Sequence, residues 1–153
     1  MRPIVSRVLP LALLLAFASP VTFAQSPAAS AATCCTLTIV VEGMSSNEGN
    51  LGVLIFNSPK GWAEDRQAAL KDIAVPAVKG TQTLQVPNLP PGKYAVALIH
   101  DLNKNHKLDK NFIGYPKEQW GMSNNPHATL HAPPIEKALV TVEKDTEIHI
   151  SLQ

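Results

Sequence analysis

The chain has almost nothing with which to staple itself. Its only two cysteines, Cys34 and Cys35, are neighbours. Adjacent residues are badly placed for an ordinary disulfide, whose Cα atoms stand about 4.4–6.8 Å apart. Apart from a strained vicinal bridge, no internal cross-link can form, so the fold must rest on its apolar core. Three roles are open to the pair: a disulfide to another chain, a metal site, or attachment of a lipid. The last wants a small residue just before the cysteine and an apolar run close by. Thr33 and the intervening QSPAASAAT occupy those places instead.

A charge excess is missing as well. The sequence carries 13 Lys+Arg against 12 Asp+Glu. Surfaces that bind nucleic acid or an anionic bilayer need a basic surplus, and the overall composition supplies none. The one long apolar run, VLPLALLLAFASPVTFA, lies at the start, behind Arg2 and Arg7, and ends at Ala24. A basic start, an apolar stretch and a small residue at the cut make a cleaved secretory signal. Pro10 and Pro20 interrupt the run, which falls short of the roughly 20 apolar residues of a membrane-spanning helix. We therefore expect a signal peptide over 1–24, cut after Ala24 rather than kept as an anchor. A polar, uncharged and disordered spacer is expected over 25–34, and one folded domain over 35–153. The product is secreted, to the periplasm or outside the cell, with a net charge near −1 and no transmembrane segment.

Signatures of catalysis are absent too. Ser123 in GMSNN lacks the second glycine and the strand-to-helix setting of a nucleophile elbow. No pair of acids has the look of a glycosidase couple, and no internal repeat is visible.

What is present is alternation. In TLTIVVEG, Leu37, Ile39 and Val41 alternate with Thr38, Val40 and Glu42, which predicts a strand with one apolar face. SSNEGN reads as a turn and LGVLIFN (51–57) as its partner strand, a hairpin. AEDRQAALK (63–71) fits a short helix with Glu64 and Asp65 early, where the helix dipole favours acids. IAVPAVKG and TQTLQVPNL predict two short strands meeting at Lys79-Gly80. After the tight turn at Pro90-Pro91-Gly92, Tyr94, Val96, Leu98 and His100 point one way and Ala95, Ala97, Ile99 and Asp101 the other. A strand apolar on both faces belongs in the middle of a sandwich. Residues 101–135 form one long irregular connection, and connections beyond about 12–15 residues are often functional. ALVTVEKDTEIHISL closes the chain as a terminal hairpin, with His149 facing solvent. Short alternating strands and 13 prolines predict an all-β fold: one antiparallel β-sandwich, immunoglobulin- or prealbumin-like, of about seven strands with one long functional loop.

That loop begins HDLNKNHKLDKN (100–111). Asp101, Asn103, Asn105, Lys107 and Asp109 fall at positions 1, 3, 5, 7 and 9 of a calcium loop, where position 7 offers only its backbone carbonyl. Position 6 is His106, not glycine, and position 12 is Phe112, not a bidentate glutamate. Glu118 is the nearest acid that could complete the shell. Two carboxylates and two amides predict weak binding, about 10⁻⁴–10⁻³ M. The competing explanation is a loop whose Asp and Asn side chains bond their own backbone. His127 and His131 are four apart but flanked by prolines, so zinc or copper capture is a lesser prospect. Trp62, Tyr115 and Trp120 stand in loops, where they either stack on a sugar or a partner protein or cap a small core.

The run from Pro90 to Asn125 resembles the DUF2141 family of uncharacterised exported bacterial proteins. The resemblance rests on PPGKYAV, HDLNKNHKLDKN and IGYPKEQWGMSNN, with GNLGVLIFNSP earlier, and covers roughly 36–152. Members usually carry glycine near the place of His106 and an aromatic near that of Met122. The resemblance implies an exported sandwich domain and no assigned activity. From residues and resemblance together we expect a non-catalytic binding module of the cell envelope. Its partner would be an envelope protein or glycan, met through Tyr115, Trp120, Asn124 and Asn125, and calcium is its one candidate cofactor. The alternatives are an enzyme acting on an envelope polymer through His100, Asp101 or Asp109, and an assembly module pairing through Cys34 or Cys35.

Overall fold

In the computed structural model, residues 34–127 and 131–153 are described; the expected signal peptide and nearly all of the spacer lie outside them. The compact unit Ala31–Gln153 holds eight strands: β1 (Cys35–Met44), β2 (Asn50–Phe56), β3 (Lys71–Pro76), β4 (Gly80–Leu89), β5 (Gly92–Asp101), β6 (Trp120–Met122), β7 (Val140–Val142) and β8 (Thr146–Ser151). One sheet has the order β4-β1-β8. The other runs β3-β2-β5-β6, with β7 also paired to β5. The fold is all-β, with antiparallel pairing dominant. The exception is β8, which lies parallel to β1, Ile39 opposite Ile148 and Val41 opposite Ile150.

The alternation seen in the sequence builds the core. Leu37, Ile39 and Val41 of β1 face Leu51, Val53 and Ile55 of β2 and Val96 and Leu98 of β5, with Ile150 of β8 and Val86 of β4 closing the layer. Leu37, Ile39, Leu51 and Ile55 are wholly buried; each such side chain contributes about 1.5–3 kcal/mol. Among the described residues, all the strands and both core clusters lie within this one unit, so it carries its own stabilising core.

Two expected hairpins are replaced by longer-range pairings. β1 and β2 are consecutive but join different sheets; β1 pairs β4 and β8, whereas β2 pairs β3 and β5. At the end of the chain β7 pairs β5 and β8 pairs β1. Both strands of each predicted hairpin have an apolar face, and burying those faces against each other across the sandwich competes with pairing them edge to edge. The 63–71 helix reduces to a single 3-10 turn, Arg66–Ala68, capped by the Asp65 carboxylate on the Gln67 N–H. The 101–135 stretch is not wholly irregular, since it contains β6, and Trp120 therefore sits in a strand.

The second apolar face of β5 has its own use. Ala95 packs with Phe56, Ile135 and Ala138 in a smaller outer cluster. Trp62 caps it, edge-on to Phe56 at 5.3 Å and donating to the Pro133 carbonyl at 2.8 Å. β6 and β7 share one edge of β5, and Ser123 fills the break between them. Its Oγ accepts from the Val96 N–H at 2.9 Å and donates to the Ala138 carbonyl at 2.5 Å. Ser123 is wholly buried, so its hydroxyl serves as a structural stitch.

Candidate functional site

β5 ends at Asp101, and the chain then runs through residues 102–118 before returning to β6. Asp101 is 1 % exposed and Glu118 is 7 % exposed. Buried carboxylates need hydrogen-bond donors, and here the main chain supplies them. Asp101 accepts from the Asn105 N–H at 3.1 Å and the His106 N–H at 2.7 Å. Glu118 accepts from the Leu102 N–H at 2.9 Å and the Asp109 N–H at 3.1 Å, tying the two ends of the loop together. Asn103 Oδ1 takes the Asn105 N–H and Asn105 Oδ1 takes the Lys107 N–H, at 3.0 and 2.8 Å. The amide nitrogens of Asn103 and Asn105 both reach the Asp109 carboxylate, at 2.7 and 2.9 Å.

The side chains at positions 1, 3, 5 and 9 are thus gathered on one loop rather than fanned into water, and Glu118 joins them from β6's approach. Their convergence runs through N–H groups. Among the described residues, no three His, Cys, Asp or Glu side chains gather as a metal-binding group. The oxygens are nonetheless of the kind calcium takes: carboxylate, amide and the Lys107 carbonyl. Each amide oxygen that accepts one N–H keeps a second lone pair. The backbone also supplies the sharp turn that glycine would allow. His106 has φ +63° and Lys104 φ +60°, left-handed values that cost a residue with a Cβ about 1–2 kcal/mol. Gly49, at φ +73°, lies against this strand end; a Cβ there would collide with the Asp101 carbonyl oxygen.

Beside the loop, a cavity of about 650 Å³ opens on the outer face of the five-stranded sheet. Its floor follows the strand register. Ala74, Gly52, Ile99 and Trp120 lie in one row across β3, β2, β5 and β6, and Asp72, Leu54, Ala97 and Met122 lie in the next. The small residues Ala74, Gly52 and Ala97 make the depression. Asp101, Asn105, His106, Lys107 and Lys110 line it from the loop and Glu64 and Arg66 from the segment before β3, where Glu64 meets Lys110 at 3.5 Å. Arg66 is paired with Asp72, its Nε donating at 2.8 Å. Leu54, Ala97, Ile99 and Met122 were not singled out in the sequence as site residues; the doubly apolar β5 was the signal that could have found two of them.

The remaining expected residues divide. Trp120 and His131 line the cavity; Tyr115, Asn124 and Asn125 do not. Asn124 donates to the Leu139 carbonyl at 2.9 Å, and Asn125 bridges to β8, accepting from the Ser151 N–H at 2.9 Å. Both adopt left-handed backbone and hold the turn after β6. His100 is wholly buried. Its Nε2 stands 2.8 Å from the Glu48 carbonyl, so that nitrogen carries the hydrogen, and Nδ1 lies 3.4 Å from Ser45 Oγ. His127 and His131 flank residues 128–130, which are outside those described. Cys34 is exposed and Cys35 buried at the head of β1. Burial pushes the Cys35 thiol pKa up, and the Asp145 carboxylate and Cys34 add to it.

No helix among the described residues is long and apolar enough to cross a membrane. No curated protein and no solved structure matches the chain. One family does match, an uncharacterized protein conserved in bacteria, over residues 39–150, which takes in every strand but the outermost ends of β1 and β8 and the whole of the 101–118 loop. The chain belongs to the DUF2141 family.

Proposed function

We propose that this protein is an exported, non-catalytic binding module of the cell envelope, whose 101–118 loop takes calcium weakly and forms one wall of a ligand groove. The observation that carries the reading is the investment of two buried carboxylates, Asp101 and Glu118, in holding that one loop in shape. Burying charge is costly, and a plain connection has no need of it. The groove beside it offers an apolar floor with Trp120 at one side and charged groups on the rim, which suits a glycan ring or a segment of an envelope protein. The signal-like start of the chain supports export to the periplasm or beyond.

Calcium would be held by Asp101, Asn103, Asn105, the Lys107 carbonyl, Asp109 and Glu118, and its chemistry there is purely structural: it would fix the loop as a wall. The groups that an acid–base enzyme would recruit are engaged otherwise. His100 bonds the main chain inside the protein, Asp101 bonds two loop N–H groups, and Asp109 receives two amides. Titration calorimetry of the domain with calcium tests the proposal. Binding in the range of about 10⁻⁴–10⁻³ M, lost in an Asp109→Ala variant, is the expected result. Absence of heat up to about 10⁻² M calcium would remove the ion and leave only the groove.

A further inference from the structure

We propose that the turn at 111–116, with the lysines around it, is a docking element for an anionic lipid surface. The turn carries Phe112 at 98 % exposure, Ile113 at 58 % and Tyr115 at 51 %. Three large apolar side chains projecting together are unusual on a soluble domain and mark a site of interaction. They are not the loose end of a floppy loop. Asn111 Oδ1 accepts from the Ile113 and Tyr115 N–H groups at 3.1 and 2.9 Å. The Asn111 N–H donates to the Tyr115 carbonyl at 2.8 Å, and below it the Lys117 N–H donates to Asp109 at 2.7 Å. The chain has built a firm neck and set apolar side chains at its tip.

Charge identifies the occupant. Residues 102–117 contain Lys104, Lys107, Lys110 and Lys117, all exposed, against the single acid Asp109; Lys110 also meets the Glu64 carboxylate at 3.5 Å. Asp109 is occupied by the Asn103 and Asn105 amides. Elsewhere in residues 25–153 there are seven Lys+Arg and eleven Asp+Glu. Counting Glu64 with Asp109, and with Asp101 and Glu118 buried against main-chain N–H groups, the loop presents an exposed surplus of two positive charges, which the whole-chain balance of 13 Lys+Arg against 12 Asp+Glu conceals. An exposed apolar tip on a loop that also bears exposed lysines matches a surface of anionic headgroups above acyl chains. Tyr115 has the amphipathic ring that settles at headgroup level. A protein partner fits less well. Protein interfaces are depleted in lysine and favour arginine, and all four cations here are lysines. One projecting turn also offers far less than the roughly 800 Å² per side of a standard interface. The inference does not require calcium, because the neck's own hydrogen bonds fix the tip.

The test is cosedimentation of residues 25–153, which include the compact unit Ala31–Gln153 with its own core, with vesicles of phosphatidylcholine alone or mixed with phosphatidylglycerol. The protein should pellet with the mixed vesicles and about tenfold less with phosphatidylcholine. Added salt should release it. Lys107→Glu with Lys117→Glu should weaken binding at least about fivefold per site. Phe112→Ser with Ile113→Ser should abolish pelleting while leaving the thermal melt unchanged, because both side chains are exposed. As a readout free of any folding question, Phe112→Trp should shift its emission to the blue with mixed vesicles only. Failure to bind any vesicle, equal binding to phosphatidylcholine, or full binding by the double serine variant would each overturn the proposal; the first is also what a protein partner would produce.

Discussion

Replacing Asp101 by asparagine should cost the protein about 2 kcal/mol and, with it, the calcium response proposed above. The side chain keeps its shape but loses its charge and one acceptor. In the native loop the two carboxylate oxygens take the Asn105 and His106 N–H groups at 3.1 and 2.7 Å. A hydrogen bond to a charged group contributes about 1.5–3 kcal/mol and a neutral one about 0.5–1.5 kcal/mol. Asparagine retains one bond in its neutral form and turns an NH2 toward the other donor, losing that bond outright. The difference sums to about 2–4 kcal/mol. Asn105 and His106 lie on the exposed side, where a released N–H finds water, so the lower end applies. A domain of this size loses roughly 4 °C in Tm per kcal/mol, which gives a fall of about 8 °C in a calcium-free scan. With about 10 mM calcium and the proposed Kd of about 10⁻³ M, the native protein should gain RT ln 11, about 1.4 kcal/mol, and the variant should gain nothing. Scanning calorimetry of both proteins, with calcium and with chelator, reads the two effects separately. If the variant melts within about 2 °C of the parent, the carboxylate does not hold the loop. If it responds to calcium as the parent does, the ion is bound elsewhere or not at all.

Three further expectations rest on other parts of the fold. Ser123→Ala should destabilise by about 2–4 kcal/mol, measurable by urea unfolding, because the Val96 N–H and Ala138 carbonyl lose their shared partner inside the protein. An unaffected midpoint would mean that β5 re-pairs across the break. His106→Gly should stabilise by up to about 1 kcal/mol, since relief of the left-handed strain exceeds the added chain entropy; a lower Tm in that variant would show that the histidine side chain contributes something its exposure does not suggest. His149 should titrate above 6.5 by NMR, because Glu42, at 2.9 Å, and then Glu147 hydrogen-bond its charged form. A group whose pKa is raised on folding stabilises below its unfolded pKa and loses that contribution as pH rises through the folded one. His149→Gln should therefore lose its deficit against the parent between about pH 6.5 and the raised pKa, and a deficit that persists at pH 9 would sink the assignment.

How much of this was legible beforehand differs between faces and pairings. Period-two alternation gives the faces: Leu37, Ile39 and Val41 turn inward as read, and so do Tyr94, Val96 and Leu98, because side-chain direction in a strand follows from the backbone alone. Pairing is a different question. SSNEGN looks like a hairpin turn, yet it carries the chain from one sheet to the other. Local turn chemistry permits both outcomes, and only the burial of both apolar faces against one another selects the second. The parallel neighbour β8 is beyond local reading for the same reason, since its partner β1 is over a hundred residues away.

The site divides along the same line. The spacing of Asp101, Asn103, Asn105 and Asp109 is a local property, and the loop that it specifies forms largely from bonds within five residues. Glu118 could be nominated by proximity in sequence; that both its oxygens would clamp the loop's two ends could not. The groove was illegible because it is made by what is small. Gly52, Ala74 and Ala97 say little singly, and become a floor only when β3, β2 and β5 align them in register. One residue pattern pointed to it all the same. A strand apolar on both faces must have both faces covered, and when the covering chain is a loop built around charged and amide side chains, the cover is incomplete and leaves a groove. The wall and the floor are thus one consequence of the same strand: β5 delivers Asp101 to start the loop and Ile99 and Ala97 to lie beneath it. A substitution at Ile99 that fills the floor should then leave loop stability untouched while closing the groove, which separates the two halves of the site by experiment.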